Sequence, residues 1–152
     1  MSGYFELRTP EDLIAKARRD LATFDKHPNG LDLWNAVVTA NHVYDWVKHD
    51  KTLAKSAGGA RPSKHTDSDI KLLLDPANGL KHFERRIETP STSTRSVGSA
   101  VPGEAMLGEM ILGTRGVPAY FATQPDGSMV EVRGVVIRVL DRWEKFLMQA
   151  RP

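Results

Sequence analysis

His27-Pro28-Asn29-Gly30-Leu31-Asp32-Leu33-Trp34-Asn35-Ala36-Val37-Val38-Thr39-Ala40-Asn41-His42-Val43-Tyr44-Asp45-Trp46-Val47-Lys48-His49-Asp50 decides the fold. Its first four residues stop whatever precedes them, because proline cannot continue a helix and Asn-Gly favours a turn. From about Leu31 to Asp50 the spacing predicts one long helix. At 100° per residue Ala36, Val37, Ala40, Val43, Tyr44 and Val47 cover one broad side, with Trp34, Val38 and Trp46 opposite. A helix apolar nearly all round is normally central in its domain. Between the opposite apolar residues run Asn35, Thr39, His42, Asp45 and His49. That polar stripe is the most informative local feature of the chain.

Working outward, Thr9-Pro10-Glu11-Asp12 carries a helix start: a hydroxyl at the N-cap, proline at the first helical position and acids in the first turn. Leu13, Ile14, Ala17, Leu21 and Phe24 follow at helical spacing. The tight connection at 27–30 predicts that the two helices run antiparallel. Residues 51–65 read as a basic, glycine-containing loop. Thr66-Asp67-Ser68-Asp69 opens a further helix, and over 66–88 the pattern predicts one kinked helix or two short ones, broken or kinked at Asp75-Pro76. Residues 89–104 are small and polar and read as loop. Ala105–Leu112 is a candidate strand, and Ala119–Thr123 and Met129–Val132 flank Gln124-Pro125-Asp126-Gly127-Ser128, a hairpin signal. The last helix, Gly134 to Met148, presents Val135, Val136, Val139, Leu140, Trp143, Phe146 and Leu147 on one face. The expectation is a mostly α fold: an antiparallel bundle of about four helices, with a β-hairpin or three-stranded appendage before the last one. Residues 1–152 form a single domain in this reading.

Composition excludes several function classes. The chain has 152 residues, 40% hydrophobic and 26% charged, as in ordinary globular proteins. With no cysteine, disulfides, thiolate catalysis and cysteine-ligated metal are excluded. No stretch approaches the roughly 20 apolar residues of a membrane helix. Residues 1–6 lack the basic and apolar regions of a signal peptide, so a cytoplasmic location is expected. Net charge is only +2, but it is uneven. Residues 48–95 hold ten Lys and Arg against six Asp and Glu, a surplus of +4 that leaves −2 for the remainder. An anionic ligand is expected there.

Two constellations could carry chemistry. His42, Asp45 and His49 lie three, four and seven apart, hence on one helix face. Asp45 could orient an imidazole and raise its basicity, as catalytic or metal-bound histidines require; equally, the three could simply satisfy one another along a polar seam. The second group is Asn78, Lys81, His82, Arg85 and Arg86, a mixture able to bind a phosphate and supply an acid or base at neutral pH. Lys81 is about 100° around the helix from His82, so the two need not share a site. The competing reading makes Lys81-Glu84-Arg85-Glu88 an ion-paired solvated face. His42, Asp45, His49 and His82 could also complete a metal site between two helices. Walker, Gly-x-Gly-x-x-Gly and His-Glu-x-x-His signatures are all absent.

Thr39-Ala40-Asn41-His42-Val43-Tyr44-Asp45-Trp46, then Ala77-Asn78-Gly79-Leu80-Lys81-His82-Phe83, resembles a widespread group of small bacterial proteins with no assigned function. The closing Val139-Leu140-Asp141-Arg142-Trp143-Glu144-Lys145-Phe146-Leu147 resembles their last helix. More distantly, the helical order and a basic-His pair late in a helix resemble HEPN domains, compact helical and often dimeric domains of toxin–antitoxin and anti-phage systems. That resemblance implies metal-independent ribonuclease chemistry, in which Arg and His activate the ribose 2′-hydroxyl and stabilise the phosphorane. The family's order, an Arg followed at an interval by a His, differs here: Arg61 and His65 are closer and in a loop, and Arg85 and Arg86 follow His82. The functional expectation is an RNA- or nucleotide-directed protein of bacterial defence or toxin type. His42 and His82 would be general acid and base, and Asp45 would orient a histidine. Lys81, Arg85, Arg86, Asn78 and His49 would bind phosphate. No cofactor or metal is implied. The alternative is a non-catalytic helical module that homodimerises, with Tyr44, Trp46 or Trp143 as anchors.

Overall fold

The computed structural model describes residues 6–53, 61–63, 65–79, 119–124 and 126–151. The order is α1 (Pro10–Lys26), α2 (Gly30–His49), α3 (Ser68–Gly79), β1 (Phe121–Thr123), β2 (Met129–Glu131) and α4 (Val132–Ala150). The protein is mostly helical, with a two-stranded antiparallel sheet before the last helix. The candidate strand 105–112 lies outside the described residues, as does the stretch 80–88 expected to extend α3.

Local chemistry explains the elements. Thr9 accepts from the Asp12 N–H at 3.2 Å while Asp12 Oδ2 accepts from the Thr9 N–H at 2.8 Å, a capping box that starts α1. After His27, Asn29 caps α2 by accepting from the Asp32 N–H at 2.9 Å. One short connection therefore holds both a helix stop and the next helix start, and α1 and α2 pack as a helical hairpin. Gly127, at φ 83°, makes the left-handed turn that joins β1 to β2. Asp126 Oδ1 accepts from the Ser128 N–H and hydroxyl across that turn, at 2.9 and 2.6 Å. The register pairs Phe121 with Glu131 and Thr123 with Met129.

One element boundary differs from the sequence reading, and one open alternative is decided. α4 begins at Val132 rather than Gly134, since the strand feeds the helix without a loop and the Val132 N–H donates to the Tyr120 carbonyl at 2.9 Å. Of the two forms expected over 66–88, one kinked helix or two short ones, α3 takes the unbroken form through Pro76 as far as Gly79. An interior proline costs a helix roughly 3 kcal/mol. Burial of Ile70, Leu73 and Ala77 on one face of α3 offsets that loss, which periodicity alone could not weigh.

The core is a single cluster. α4 lies against α1, α2 and α3 and supplies Val135, Val136, Val139, Leu140, Trp143 and Leu147, all at most 2% exposed. α2 contributes Leu33, Ala36, Val37, Ala40, Val43 and Val47, and α1 contributes Leu13, Ile14, Ala17, Leu21 and Phe24. Trp143 is fully buried, with rings of Tyr44 and Phe146 edge-on at 6.3 and 6.1 Å. It is thus a core residue and no dimer anchor, because a side chain already enclosed has no surface to offer a partner.

Gly134 sits in the first turn of α4, where a methyl group would meet only the Arg138 guanidinium at 3.5 Å and the Glu131 carboxylate at 3.9 Å. Helical glycine carries excess unfolded-state entropy. Gly134→Ala is expected to raise stability by about 0.5–1 kcal/mol, read as a higher urea midpoint at unchanged slope.

Candidate functional site

α2 turns its apolar face inward and its histidines outward. Ala40 marks the middle of the buried face; helical geometry puts His42, Asp45 and His49 within one sector on the far side. Exposure changes along that sector. Trp34, Asn35, Val38 and His42 are half-buried, whereas Asp45 and His49 are exposed. His42 therefore stands at the margin where the outer face of α2 emerges into solvent. No hydrogen bond between Asp45 and either histidine occurs among the described residues, so the structure does not join these three as the spacing suggested. Thr39, read as part of the same polar stripe, is instead buried at 7% exposure and accepts from Lys16 Nζ at 3.1 Å across the α1–α2 interface. Asn78 lies in the last turn of α3, and its side chain is outside the described set; Lys81, His82, Arg85 and Arg86 lie beyond it altogether.

Around α2 from this sector the helix carries Lys48 and Tyr44. The guanidinium of Arg61 lies over the Tyr44 ring, 5.7 Å from its centroid, a cation–π contact. Lys48, His49, Lys51, Arg61 and His65 are all exposed. Among the described residues none of them has an acidic partner. Nothing in the residue spacing links Arg61 to Tyr44.

Lys16 and five arginines elsewhere meet acids, whereas Arg8, Arg19, Lys26, Lys71 and Lys145 form no ion pair with an acid among the described residues. On α4, Arg142 forks onto Asp67 at 2.7 and 2.8 Å and reaches Asp69 at 2.7 Å, while Arg138 grips Asp69 at 2.9 and 3.0 Å. The hydrogen bond from Arg138 holds the Asp69 carboxyl below its usual range; burial opposes this and Arg142 adds to it. Asp67 also accepts from the Asp69 and Ile70 N–H groups, so one carboxylate starts α3 and clamps it to α4. Arg18 joins α1 to Glu144 at 3.0 Å, and Arg133 forks onto Asp25 at 2.6 and 2.8 Å. At the far end of the bundle Arg151 bonds Glu11 at 2.7 and 2.8 Å, bonds the Thr52 hydroxyl, and faces Asp50 Oδ2 at 3.2 Å. These are structural pairs that tie helices together.

A cavity of about 320 Å³ opens between α1 and α4, lined by Glu11, Ile14, Ala15, Glu144, Leu147 and Met148 with Arg151. Its charged rim is already paired internally, and no histidine reaches it. Among the described residues no three His, Asp or Glu side chains gather as metal ligands would. No described helix is long and apolar enough to cross a membrane. The indole N–H of Trp34 is buried and has no hydrogen-bond partner among the described residues. Set against family models, curated proteins and solved structures, the chain matches none of them.

Proposed function

We propose that this chain is an RNA- or nucleotide-directed helical domain of bacterial defence or toxin type, acting as a HEPN-like, metal-independent ribonuclease. The observation that carries the reading is a group of unpaired cations close in the chain to the half-buried His42. Arg18, Arg133, Arg138, Arg142 and Arg151 are neutralised by acids, whereas Lys48, His49 and Lys51 at the end of α2, and Arg61 over Tyr44, are exposed without acidic partners among the described residues. Unpaired cations attract phosphate and steer a polyanion toward them. Half-burial at the margin leaves an imidazole accessible while restricting its motion, which suits a general acid or base.

In this reading one neutral histidine of the pair His42 and His82 takes the ribose 2′-hydroxyl proton as that oxygen attacks phosphorus. The other, protonated, gives its proton to the departing 5′-oxygen. The products are a 2′,3′-cyclic phosphate and a free 5′-hydroxyl, so protons balance without a metal. Lys81, Arg85, Arg86, Asn78 and His49 serve the phosphate, and Asp45 orients an imidazole once substrate is bound.

Total RNA incubated with wild type, with and without EDTA, is expected to be cleaved in both cases. The His42→Ala/His82→Ala variant should be slower by at least about a hundredfold, since one positioned acid or base contributes roughly 10²–10⁴. Intact RNA with wild type, or cleavage abolished by EDTA, overturns the ribonuclease reading.

A second reading, a non-catalytic homodimerising module, is favoured by Met148, which is 82% exposed beside the apolar floor of the α1–α4 cavity. A doubled mass in light scattering that reverts in Met148→Glu would establish it. A monomer at high concentration would remove it.

A further inference from the structure

The contact between Arg61 and Tyr44 is unlike every other arginine contact described above. Arg18, Arg133, Arg138, Arg142 and Arg151 end on carboxylates, whereas Arg61 ends over an aromatic ring and stays exposed. Tyr44 is itself packed against the core. Its ring meets Trp143 edge-on at 6.3 Å, and Trp143 is fully buried in the core. A planar cation held over a supported ring loses little further freedom when something stacks on its outer side. Its N–H edges remain able to donate to a phosphate. Lys48 lies one turn beyond Tyr44 on α2, about 6 Å along the axis, and is exposed. The arrangement offers a flat stacking surface with a point charge beside it, which is how proteins hold unpaired bases and the backbone that joins them.

We infer that Arg61 on Tyr44 is a stacking platform for one base of a single-stranded RNA, with Lys48 holding an adjacent phosphate. The inference rests on the RNA reading above and adds to it the strandedness of the ligand and the residues, other than the histidines, that grip it. Single strands are required because a base in a duplex is already stacked on its neighbours. An acidic polypeptide would satisfy the lysine but gain nothing from the supported guanidinium plane.

The test is fluorescence-anisotropy binding of a labelled single-stranded RNA dodecamer, with its duplex and polyglutamate as unlabelled competitors. Arg61→Ala is expected to bind about tenfold more weakly. Arg61→Lys keeps the charge and loses the plane, and should recover less than half of that loss on a logarithmic scale. Lys48→Ala should lower the slope of log K against log salt by about 0.7, the value of one single-strand phosphate contact. Circular dichroism should show all three folded, since neither side chain is buried. Unchanged affinity in Arg61→Ala, full recovery in Arg61→Lys, or equal competition by duplex or polyglutamate overturns the platform. Wild type that binds no RNA overturns the RNA reading and the platform with it. Wild type that binds through Arg61 yet leaves RNA intact upholds the platform and overturns only the ribonuclease.

Discussion

Trp143→Ala is expected to cost about 3–5 kcal/mol, the largest effect of any single substitution considered for this fold. Trp143 is 0% exposed and central to α4, which, like α2, touches all three other helices. Truncation removes the transfer energy of the indole and leaves a cavity bordered by Tyr44 and Phe146, whose edge-on contacts with it are also lost. Net stability of a domain this size is typically about 5–15 kcal/mol, so the variant would sit near the folding threshold. Trp143→Phe keeps a ring in the site and should lose roughly 1–2 kcal/mol. Urea unfolding followed by far-UV circular dichroism checks both, because Trp34 and Trp46 would confuse a fluorescence signal. A loss below about 1 kcal/mol for Trp143→Ala would mean that the helices do not close around this residue.

Arg151→Ala is the second large effect, expected at about 2–3 kcal/mol at pH 7. The Asp50 side chain is 1% exposed, and its Oδ2 accepts no hydrogen bond among the described residues; Arg151 lies 3.2 Å from it without hydrogen-bond alignment. Charge therefore holds that pair. Burial pushes the Asp50 carboxyl up, but the Thr52 hydroxyl and N–H, together with Arg151, outweigh it and leave the group below its usual range. Glu11 is likewise held low, chiefly by its hydrogen bonds from Arg151. Removing the guanidinium strands a buried carboxylate, a penalty tempered by the two bonds from Thr52 and by the partial exposure of Arg151 itself.

The pH dependence has a definite sign. Carboxylates whose folded values are depressed stabilise the protein above their unfolded values near pH 4, and that stability disappears as pH falls through the folded values. Wild type should thus lose stability on acidification below about pH 4. In Arg151→Ala the carboxyls of Asp50 and Glu11 lose what Arg151 contributes and move up, so the variant loses less on acidification. The stability gap between the two proteins should narrow as pH falls from 7 toward 3. A gap that stays constant would show that Arg151 acts through packing of its stem and not through charge. Arg151→Ala/Asp50→Asn should recover part of the loss at pH 7.

Much of this fold was legible because its signals are local. Thr9 to Asp12 carries a complete helix start within one turn, and Asn29 followed by Asp32 carries the next. Asp126-Gly127-Ser128 between two short apolar runs specifies its hairpin, since only glycine enters the left-handed region at no cost. The inward faces of α1, α2 and α4 follow from a 3.6-residue period. For the candidate site, the sequence placed His42, Asp45 and His49 correctly on one outward sector of α2, since that too is helical arithmetic. It wrongly suggested a mutual hydrogen bond, because side chains on one face still choose among solvent, neighbours and other elements.

What the sequence by itself determined was the element order, the mostly helical class and which side of each helix is apolar. All of these depend on interactions within a few residues. Only the tertiary structure decided that Pro76 stays helical, that Trp143 is enclosed and that Asp50 is buried beside Arg151, 101 residues on in sequence. It alone decided which arginines are spent on carboxylates and that Arg61 lies over Tyr44. Charge and ring contacts form between whichever side chains the packed helices bring within a few ångströms, and spacing along the chain carries no record of that distance.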